Sequence, residues 1–240
     1  MSGAVFADVT SANVVGYQEI ETNAGATDFT MLTPTFLSVA SDKDCTLADL
    51  KVTGYTGETK GDFVLRTLNV DGSSNKQYYW VETASKTAGW YASKLGSAIP
   101  GGPESVAIDA GQGLWCTTKG YKLVPCGAVG QSLIEYETNS GDSFTAVGNC
   151  TPVDITLDKL TVTGYAGETK GDFVLRTLNV DGSSNKQYYW VETASKTAGW
   201  YASKLGSAIP GGPESVTIKA GQGLWCSGKG LTLNIPSAIK

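Results

Sequence analysis

Short runs of alternating apolar and polar residues, separated by turn-forming residues, recur along the whole chain. β-Branched and aromatic residues dominate these runs, which is typical of β-strands. Asp71 and Gly72 lie between two of the runs and predict a hairpin turn, because this pair tolerates positive φ. The clearest runs are residues 13–20 (NVVGYQEI), 62–70 (DFVLRTLNV), 76–81 (KQYYWV) and 113–116 (GLWC).

Helical structure is expected only in short pieces. The chain has 30 glycines, and glycine and β-branched threonine are unfavourable inside helices. Residues 46–50 (TLADL) and part of 82–99 are the two segments that could hold a helical turn, and Gly89 interrupts the second. A turn at Pro100–Pro103 (PGGP) follows it. The pattern predicts an all-β protein with antiparallel, sandwich-like sheets.

An internal repeat organises the chain. Residues 57–106 recur letter for letter as 167–216, at an offset of 110 positions. The match extends outward with substitutions and fades upstream, where Phe29 and Thr30 still correspond to Phe144 and Thr145. Downstream, Asp109 corresponds to Lys219. A fixed internal period indicates a repeated structural unit. We therefore predict two tandem sandwich-like antiparallel β domains from an internal duplication. The predicted segments are a signal-peptide remnant at 1–7, repeat 1 at 8–125 and repeat 2 at 126–240.

The composition excludes several classes of function. The chain has no histidine, so Ser-His-Asp and Cys-His nucleophiles and His-ligated metal sites are ruled out. The net charge is −5, and Arg66 and Arg176 are the only arginines. This charge argues against nucleic-acid binding, which depends on Lys and Arg against phosphates. No apolar run approaches the roughly 20 residues of a membrane-spanning helix.

Candidates for catalysis or cofactor binding are few. Ser73-x-x-Lys76 has the spacing of a Ser-Lys nucleophile, but that chemistry needs the serine at a helix start rather than in a predicted turn. Carboxylates in both copies could supply a glycosidase pair, although turn positions beside lysines favour solvated charge. We predict a protein that is not an enzyme and that has no cofactor and no metal. The shared carboxylates of the first copy include Glu58, Asp62, Asp71, Glu82 and Glu104.

Five cysteines leave two interpretations open. In an oxidising compartment, Cys45–Cys116 and Cys126–Cys150 is one possible disulfide scheme. The alternative is that all the cysteines are reduced and buried. Cys116 and Cys226 correspond in the repeat, whereas Cys45 corresponds to Ile155, so the same bridge cannot form in both copies.

The N-terminus suggests a location outside the cell. Small residues at Val5 and Ala7 occupy the two positions that signal peptidase reads. Residues 1–7 therefore resemble the tail of a secretory signal, and the alternative is an ordinary start. We expect a secreted protein that is extracellular or bound to the cell surface.

Several short motifs carry a family resemblance. They are residues 11–17 (SANVVGY), 29–32 (FTML), 46–50 (TLADL), 89–90 (GW) and 110–115 (AGQGLW). In this order they resemble the β-rich repeat modules that follow signal peptides in secreted proteins of verrucomicrobial-type bacteria. The resemblance implies an exported, surface-associated protein and brings no catalytic residues. The second copy departs from the pattern, because residues 127–131 read GAVGQ where the first copy has NVVGY.

Aromatic residues repeated in both copies suggest a carbohydrate platform. Strand alternation places Tyr78 and Trp80 on one face and Tyr79 on the other. One face belongs to the core, and exposed aromatic rings on the other could stack on sugars. The alternative is that the large rings fill the interior. The glycan-binding candidates are Tyr78, Tyr79, Trp90, Tyr91, Tyr188, Tyr189, Trp200 and Tyr201.

The repeat offset also suggests self-assembly. Residues 236–239 (PSAI) correspond to residues 126–129 (CGAV), where the second copy begins. The end of one molecule could therefore meet the N-terminal strand of another, and a head-to-tail contact that does not close produces a filament. The assembly candidates are Asn13, Val14, Val15, Tyr17, Ser237, Ala238 and Ile239.

Two functional hypotheses follow. The leading one is an exported, non-catalytic structural protein that forms a head-to-tail homopolymer as an extracellular filament, coat or sheath. The alternative is a glycan-binding adhesin module that uses paired Tyr/Trp platforms to bind a polysaccharide.

Overall fold

The computed structural model describes residues 15–22, 29–37, 44–54, 59–68, 75–117, 120–130, 132–139, 144–164, 169–178, 185–227 and 230–237. The predicted signal remnant and the candidates Asn13, Val14, Ala238 and Ile239 lie outside these residues. So do residues 71–74 of the predicted hairpin turn and Ser73 of the Ser-Lys pair.

The described residues form an all-β protein, as the alternating pattern predicted. Eleven strands lie up to residue 128: β1 (Val15–Tyr17), β2 (Ile20–Glu21), β3 (Phe29–Leu32), β4 (Cys45–Thr46), β5 (Leu50–Thr53), β6 (Thr59–Leu68), β7 (Asn75–Thr83), β8 (Lys86–Tyr91), β9 (Ala107–Ile108), β10 (Leu114–Thr117) and β11 (Lys122–Ala128). Ten follow: β12 (Ile134–Glu137), β13 (Thr145–Gly148), β14 (Ile155–Thr156), β15 (Thr161–Thr163), β16 (Thr169–Leu178), β17 (Asn185–Thr193), β18 (Lys196–Tyr201), β19 (Thr217–Ile218), β20 (Gly223–Ser227) and β21 (Thr232–Ile235).

Each half of the chain contains one antiparallel five-stranded sheet. The strand orders are β3-β10-β6-β7-β8 and β13-β20-β16-β17-β18. A smaller sheet lies opposite each, with β11 between β5 and both β1 and β2 in the first half, and the order β12-β21-β15 in the second. Side chains from both sheets of each half form one hydrophobic cluster, which gives a sandwich-like arrangement.

Tryptophans lie at the centre of each core because strand alternation turns them inward. Trp80 and Trp90 are both buried, and their ring centroids are 5.4 Å apart in an edge-to-face arrangement. The Trp90 indole N–H donates a 2.7 Å hydrogen bond to the carbonyl oxygen of Leu50 on the opposite sheet. Trp200 repeats this bond to Leu160 at 2.7 Å. The indole groups of Trp90 and Trp200 thus bury large apolar areas and keep a hydrogen-bond acceptor for their N–H.

The helical expectations are half right. Four short 3-10 helices occur in the described residues: Leu47–Asp49, Pro103–Ser105, Leu157–Lys159 and Pro213–Ser215. The first confirms the turn expected at 46–50, where the Asp49 carboxylate accepts a 2.8 Å bond from the Thr46 N–H. The helical turn considered within 82–99 is wrong, because that segment contains β8. Antiparallel pairing of β8 with β7 at the edge of the sheet outweighs the helical propensity of this segment.

Strand β11 runs through residues 125 and 126, where the two predicted domains meet. Its last residues pair with β1, so Gly16 lies opposite Gly127 and Tyr17 opposite Cys126. The segment 126–128 therefore completes the smaller sheet of the first half. Strand β12 pairs with β21 as β2 pairs with β11, so β12 is the equivalent of β2.

Candidate functional site: interaction surfaces

The two halves meet through reciprocal backbone contacts. The Thr33 N–H donates a 2.9 Å bond to the oxygen of Gly221, and the Gly148 N–H donates a 3.0 Å bond to the oxygen of Gly111. Isolated antiparallel bridges accompany them, between Leu32 and Gln222 and between Gln112 and Val147. Gly111 and Gly221 are counterparts in the repeat, and Thr33 and Gly148 hold equivalent positions because Leu32 pairs with Leu114 as Val147 pairs with Leu224. Each half therefore gives the other the same contact. This is the pattern of an isologous, two-fold interface.

Two glycines allow the close approach of the halves. A Cβ atom at Gly113 would lie 2.8 Å from the carbonyl carbon of Ala146, and one at Gly223 would lie 2.3 Å from Met31 Cγ. Both distances are shorter than side chains allow. The Gly113 N–H also donates a 2.9 Å bond to the oxygen of Ala146. The interface therefore depends on the absence of side chains at these two positions.

Aromatic side chains close the same interface. The rings of the counterparts Trp115 and Trp225 lie 5.5 Å apart, centroid to centroid. Phe144 packs edge-on against Trp225 at 6.1 Å, and the guanidinium of Arg176 lies 4.5 Å above the Phe144 ring. Of these contacts, the Trp115–Trp225 packing joins the two halves, while the Phe144 and Arg176 contacts support Trp225 from within the second half.

The far edge of each sheet carries a nearly fully exposed leucine. Strands β8 and β18 end the two five-stranded sheets, on the side away from β3 and β13. Directly after them, Leu95 is 88% and Leu205 is 89% exposed. We define the leucine patch as residues 84–88 and 93–98, with its counterpart at 194–198 and 203–208. Both patches have the same sequence.

The turn that presents each leucine is held by several hydrogen bonds. The Ala92 N–H donates to the oxygen of Ser97 at 2.8 Å, and the Ser93 hydroxyl donates to the Ser97 hydroxyl at 2.8 Å. Gly61 brings β6 directly under the turn, because a Cβ there would lie 2.8 Å from Lys94 Cα. The second copy has the same bonds at 202–207. The leucine is thus displayed on an ordered turn.

The aromatic candidates divide between core and surface. Tyr78, Trp90, Tyr188 and Trp200 are buried, so they form no stacking platform. The outward-facing candidates Tyr79, Tyr91, Tyr189 and Tyr201 are half-buried. Tyr79 lies opposite Tyr91 on adjacent strands, and Tyr189 lies opposite Tyr201.

The tyrosine hydroxyls engage their own strands. Tyr79 donates a 2.8 Å bond to the side-chain oxygen of Gln77, and Tyr91 donates a 2.9 Å bond to the carbonyl oxygen of Thr87. The outer face of each sheet therefore presents a paired-tyrosine surface rather than tryptophans.

The described assembly candidates already have partners within the chain. Val15 and Tyr17 lie in β1, which pairs with β11, and the Tyr17 side chain is 73% exposed. The Ser237 hydroxyl donates a 3.0 Å bond to the oxygen of Gly130. The N-terminal strand thus occupies the edge that a strand from another molecule would use.

All five cysteines are free thiols in the structure. Cys45, Cys116, Cys150 and Cys226 are buried, and Cys126 is half-buried. Burial raises the pKa of Cys45 to about 12, with a contribution from the nearby Asp49 carboxylate, and burial raises that of Cys150 to about 12. Thiols in such surroundings are poor nucleophiles.

Two of the five carboxylate candidates named for the first copy have described side chains. Glu82 is half-buried and Glu104 is exposed, while the side chains of Glu58, Asp62 and Asp71 lie outside the described set. Burial, together with the charge of Asp44, raises the pKa of Asp109. The Asp44 carboxylate itself accepts a 3.1 Å bond from the Ala110 N–H. Within the described residues, no group of three His, Cys, Asp or Glu side chains could hold a metal ion.

Comparisons with known proteins give no relative: no family model, no curated protein and no solved structure matches this chain. In the described portion of the chain, no helix has the length and apolar character needed to cross a membrane.

Sequence reasoning missed the leucine patches and the interface between the halves. Leu95 stands alone among turn residues (SKLGS), and an isolated leucine in a polar turn was the available signal. Gly113 and Trp115 were identified within a strand, but their contacts are with residues far away in the sequence.

Proposed function

We infer that the protein is an exported, non-catalytic structural protein that self-assembles into an extracellular filament, coat or sheath. The pair of leucine patches carries this inference. Burying a leucine side chain against a partner contributes about 1.5–3 kcal/mol, and each molecule leaves Leu95 and Leu205 almost entirely in water.

A second copy of the chain is the partner that these patches favour. A patch-to-patch contact between two molecules is isologous and uses the same surface on both sides. Because each molecule has two such patches, the contact leaves one patch open at either end, and further molecules can add. Repetition then gives an open linear polymer rather than a closed dimer.

The reciprocal interface sets the direction of growth. Each five-stranded sheet meets the other half through β3 or β13, and its patch lies at the opposite edge, four strands away. With strands spaced about 4.8 Å apart, this edge is roughly 19 Å from the interface. The two patches therefore face away from each other, which suits end-to-end growth.

The contact proposed here differs from head-to-tail strand exchange. Exchange requires β1 to leave β11, which breaks the pairing of Val15 with Ala128 and of Tyr17 with Cys126. A patch-to-patch contact requires no strand to leave its sheet. The patches therefore offer the lower-cost route to a polymer.

Export and the absence of catalysis are supported by the sequence. The small residues Val5 and Ala7 fit a signal-peptidase site, and the motif order resembles secreted β-rich modules. A chain without histidine lacks the commonest general base of enzymes.

Sedimentation velocity on patch variants tests self-assembly. The wild type is compared with Leu95→Ser, with Leu205→Ser and with the double variant. A molecule with one remaining patch can pair only once, so each single variant is expected to stop at a dimer, and the double variant at a monomer. Leu133→Ser is the control, since Leu133 is 56% exposed outside both patches.

Polymers from the wild type and the control, dimers from the single variants and monomers from the double variant would support the proposal. Unchanged polymers from the double variant would overturn the patch contact and favour strand exchange at β1. A wild-type monomer at all concentrations would overturn self-assembly itself.

A further inference from the structure

Over residues 57–116, the two copies of the repeat differ in sequence at one short segment, residues 107–109 and 217–219. Between Gly57 and Cys116 the first copy differs from residues 167–226 at two positions alone, where Ala107 becomes Thr217 and Asp109 becomes Lys219. Both Thr217 and Lys219 line the same cavity. Over this stretch, the whole chemical difference between the halves is therefore concentrated in one cleft.

The cleft lies on the second half and has a volume of about 710 Å³. It opens between the start of β17, the turn after β18 and the segment 209–222. Ligand pockets commonly have volumes of about 300–1,000 Å³. Its polar lining residues include Lys186, Gln187, Tyr188, Ser215, Thr217 and Lys219.

The lining has the chemistry of a site for an anionic sugar. Lys186 and Lys219 supply two ammonium groups, and Thr217 supplies a hydroxyl that can both donate and accept. The Ser215 hydroxyl donates a 2.7 Å bond to the carbonyl oxygen of Gly212, so its oxygen is left to accept a bond from a sugar. Hydroxyl and amide groups match the hydroxyls of a sugar ring, and the ammonium groups match its carboxylate or sulfate.

The backbone around Lys219 is fixed by its neighbour Gln222. The Lys219 N–H donates a 3.0 Å bond to the side-chain oxygen of Gln222, and the Gln222 N–H donates a 3.0 Å bond to the oxygen of Lys219. The first copy has the corresponding bonds between Asp109 and Gln112. The same hydrogen-bonded turn therefore carries the cation Lys219 in the second half and the anion Asp109 in the first.

The counterpart position in the first half repels anions. Asp109 lies near Asp44, whose charge raises the pKa of Asp109 further after burial. In the second half, Asp154 corresponds to Asp44 and accepts a 2.9 Å bond from the Ala220 N–H. The first half thus has two carboxylates where the second has one carboxylate and one ammonium group.

We propose that the second-half cleft binds an anionic saccharide, whereas its counterpart around Asp109 does not. This binding is independent of self-assembly, because the cleft and the leucine patches share no residue. It gives the structural protein one glycan site per molecule, at a place different from the tyrosine surface of the sheets.

Isothermal titration calorimetry with tetragalacturonate and with a chondroitin sulfate tetrasaccharide tests the proposal, and a neutral galactose tetrasaccharide serves as the comparison. The Leu95→Ser/Leu205→Ser background keeps assembly from affecting the readout. One site per chain is expected for at least one anionic probe, and the probe that binds distinguishes carboxylate from sulfate recognition.

Exchanging the two differing residues makes the test sharper. The pair Lys219→Asp with Thr217→Ala gives the second half the residues that the first half already carries in the same frame, so folding is expected to persist. Affinity should fall at least tenfold, and the reverse pair Asp109→Lys with Ala107→Thr should raise the stoichiometry from one to two. Lys51→Asp, an exposed lysine outside the cleft, should leave binding unchanged.

Absence of binding by both anionic probes would overturn the proposal. So would equal affinity for the neutral probe, an unchanged affinity after Lys219→Asp with Thr217→Ala, or a stoichiometry of two before any exchange. None of these outcomes bears on the sedimentation of patch variants, so the two proposals fail separately.

Discussion

Trp115 and Trp225 pack against each other with their ring centroids 5.5 Å apart and their planes tilted by 51°. They are counterparts in the repeat, 110 positions apart, and counterparts touch each other only near a two-fold axis. The reciprocal bonds of Thr33 with Gly221 and of Gly148 with Gly111 surround this pair. The contact between the two halves therefore has the reciprocity of an isologous interface.

Replacing either tryptophan should weaken the interface. Trp115→Ala and Trp225→Ala are each expected to lower the free energy of unfolding by about 2–4 kcal/mol, because each removes a large aromatic contact. Since they share one contact, the double variant should lose less than the sum of the two. Urea denaturation measures all three, and Tyr17→Ala, at an exposed position, should change little. Strict additivity would contradict the packing of the pair.

Gly113 and Gly223, where the two halves come closest, give a second prediction. Gly113→Ala and Gly223→Ala should each destabilise the protein by about 1–3 kcal/mol, because the new methyl group meets Ala146 or Met31. Gly89→Ala is the matched control, since the nearest atom to a Cβ there is 3.9 Å away. Thermal unfolding compares the three variants. An equal effect at Gly89 would show that the loss arises from strand propensity rather than from the interface.

The buried hydrogen bonds of the Trp90 and Trp200 indoles predict that the two cores lose stability independently when these bonds are removed. Trp90→Phe removes the donor to Leu50, and Trp200→Phe removes the donor to Leu160. Each should cost about 1–3 kcal/mol, because a buried carbonyl loses its partner. The hydrophobic clusters are distinct, so the losses should add in the double variant. If chemical denaturation shows that the two losses in free energy of unfolding do not add, the two cores are coupled and the prediction is contradicted.

Thiol reactivity tests the cysteine environments. At pH 8 a disulfide reagent should modify about one thiol per native chain, Cys126, because the pKa of Cys45 and of Cys150 is raised to about 12 and their thiolates are scarce. In denaturant all five cysteines should react. Rapid modification of several thiols in the native protein would contradict the burial.

The same pKa shifts set the direction of the alkaline response. An unfolded thiol ionises near its ordinary pKa of 9.0, whereas the folded Cys45 and Cys150 keep their protons until about pH 12. The unfolded state therefore releases protons first, and the melting temperature should fall as the pH rises from 9 towards 12. Replacing both cysteines with alanine should flatten this fall. An unchanged slope would assign the alkaline instability to other groups.

How much of this could be predicted from the sequence depends on the range of the interactions. Alternation placed Tyr78 and Trp80 on one face and Tyr79 on the other, and the structure agrees, because the period of a strand is a local property. Which face belongs to the core was left open by the sequence. Whether Trp90 belongs to a platform or to the core depends on Leu50, forty residues away in the chain. Sequence alone left both possibilities open.

The interface between the halves was beyond local reasoning. Gly113 looks like an ordinary strand or turn glycine, and its contact with Ala146 appears only when the two sheets meet. The difference between Asp109 and Lys219 was visible in the sequence, but its position in a cleft of about 710 Å³ was not. Charge differences gain meaning only when the surrounding surface is known.

The most direct test of self-assembly through the leucine patches is the mass in solution as a function of concentration. Light scattering on the purified protein, with negative-stain electron microscopy of the same samples, should show a weight-average mass that rises well above the 25.1 kDa of one chain. Linear particles should accompany that rise, and Leu95→Ser with Leu205→Ser together should abolish both. A constant mass of one chain at every concentration would contradict the account.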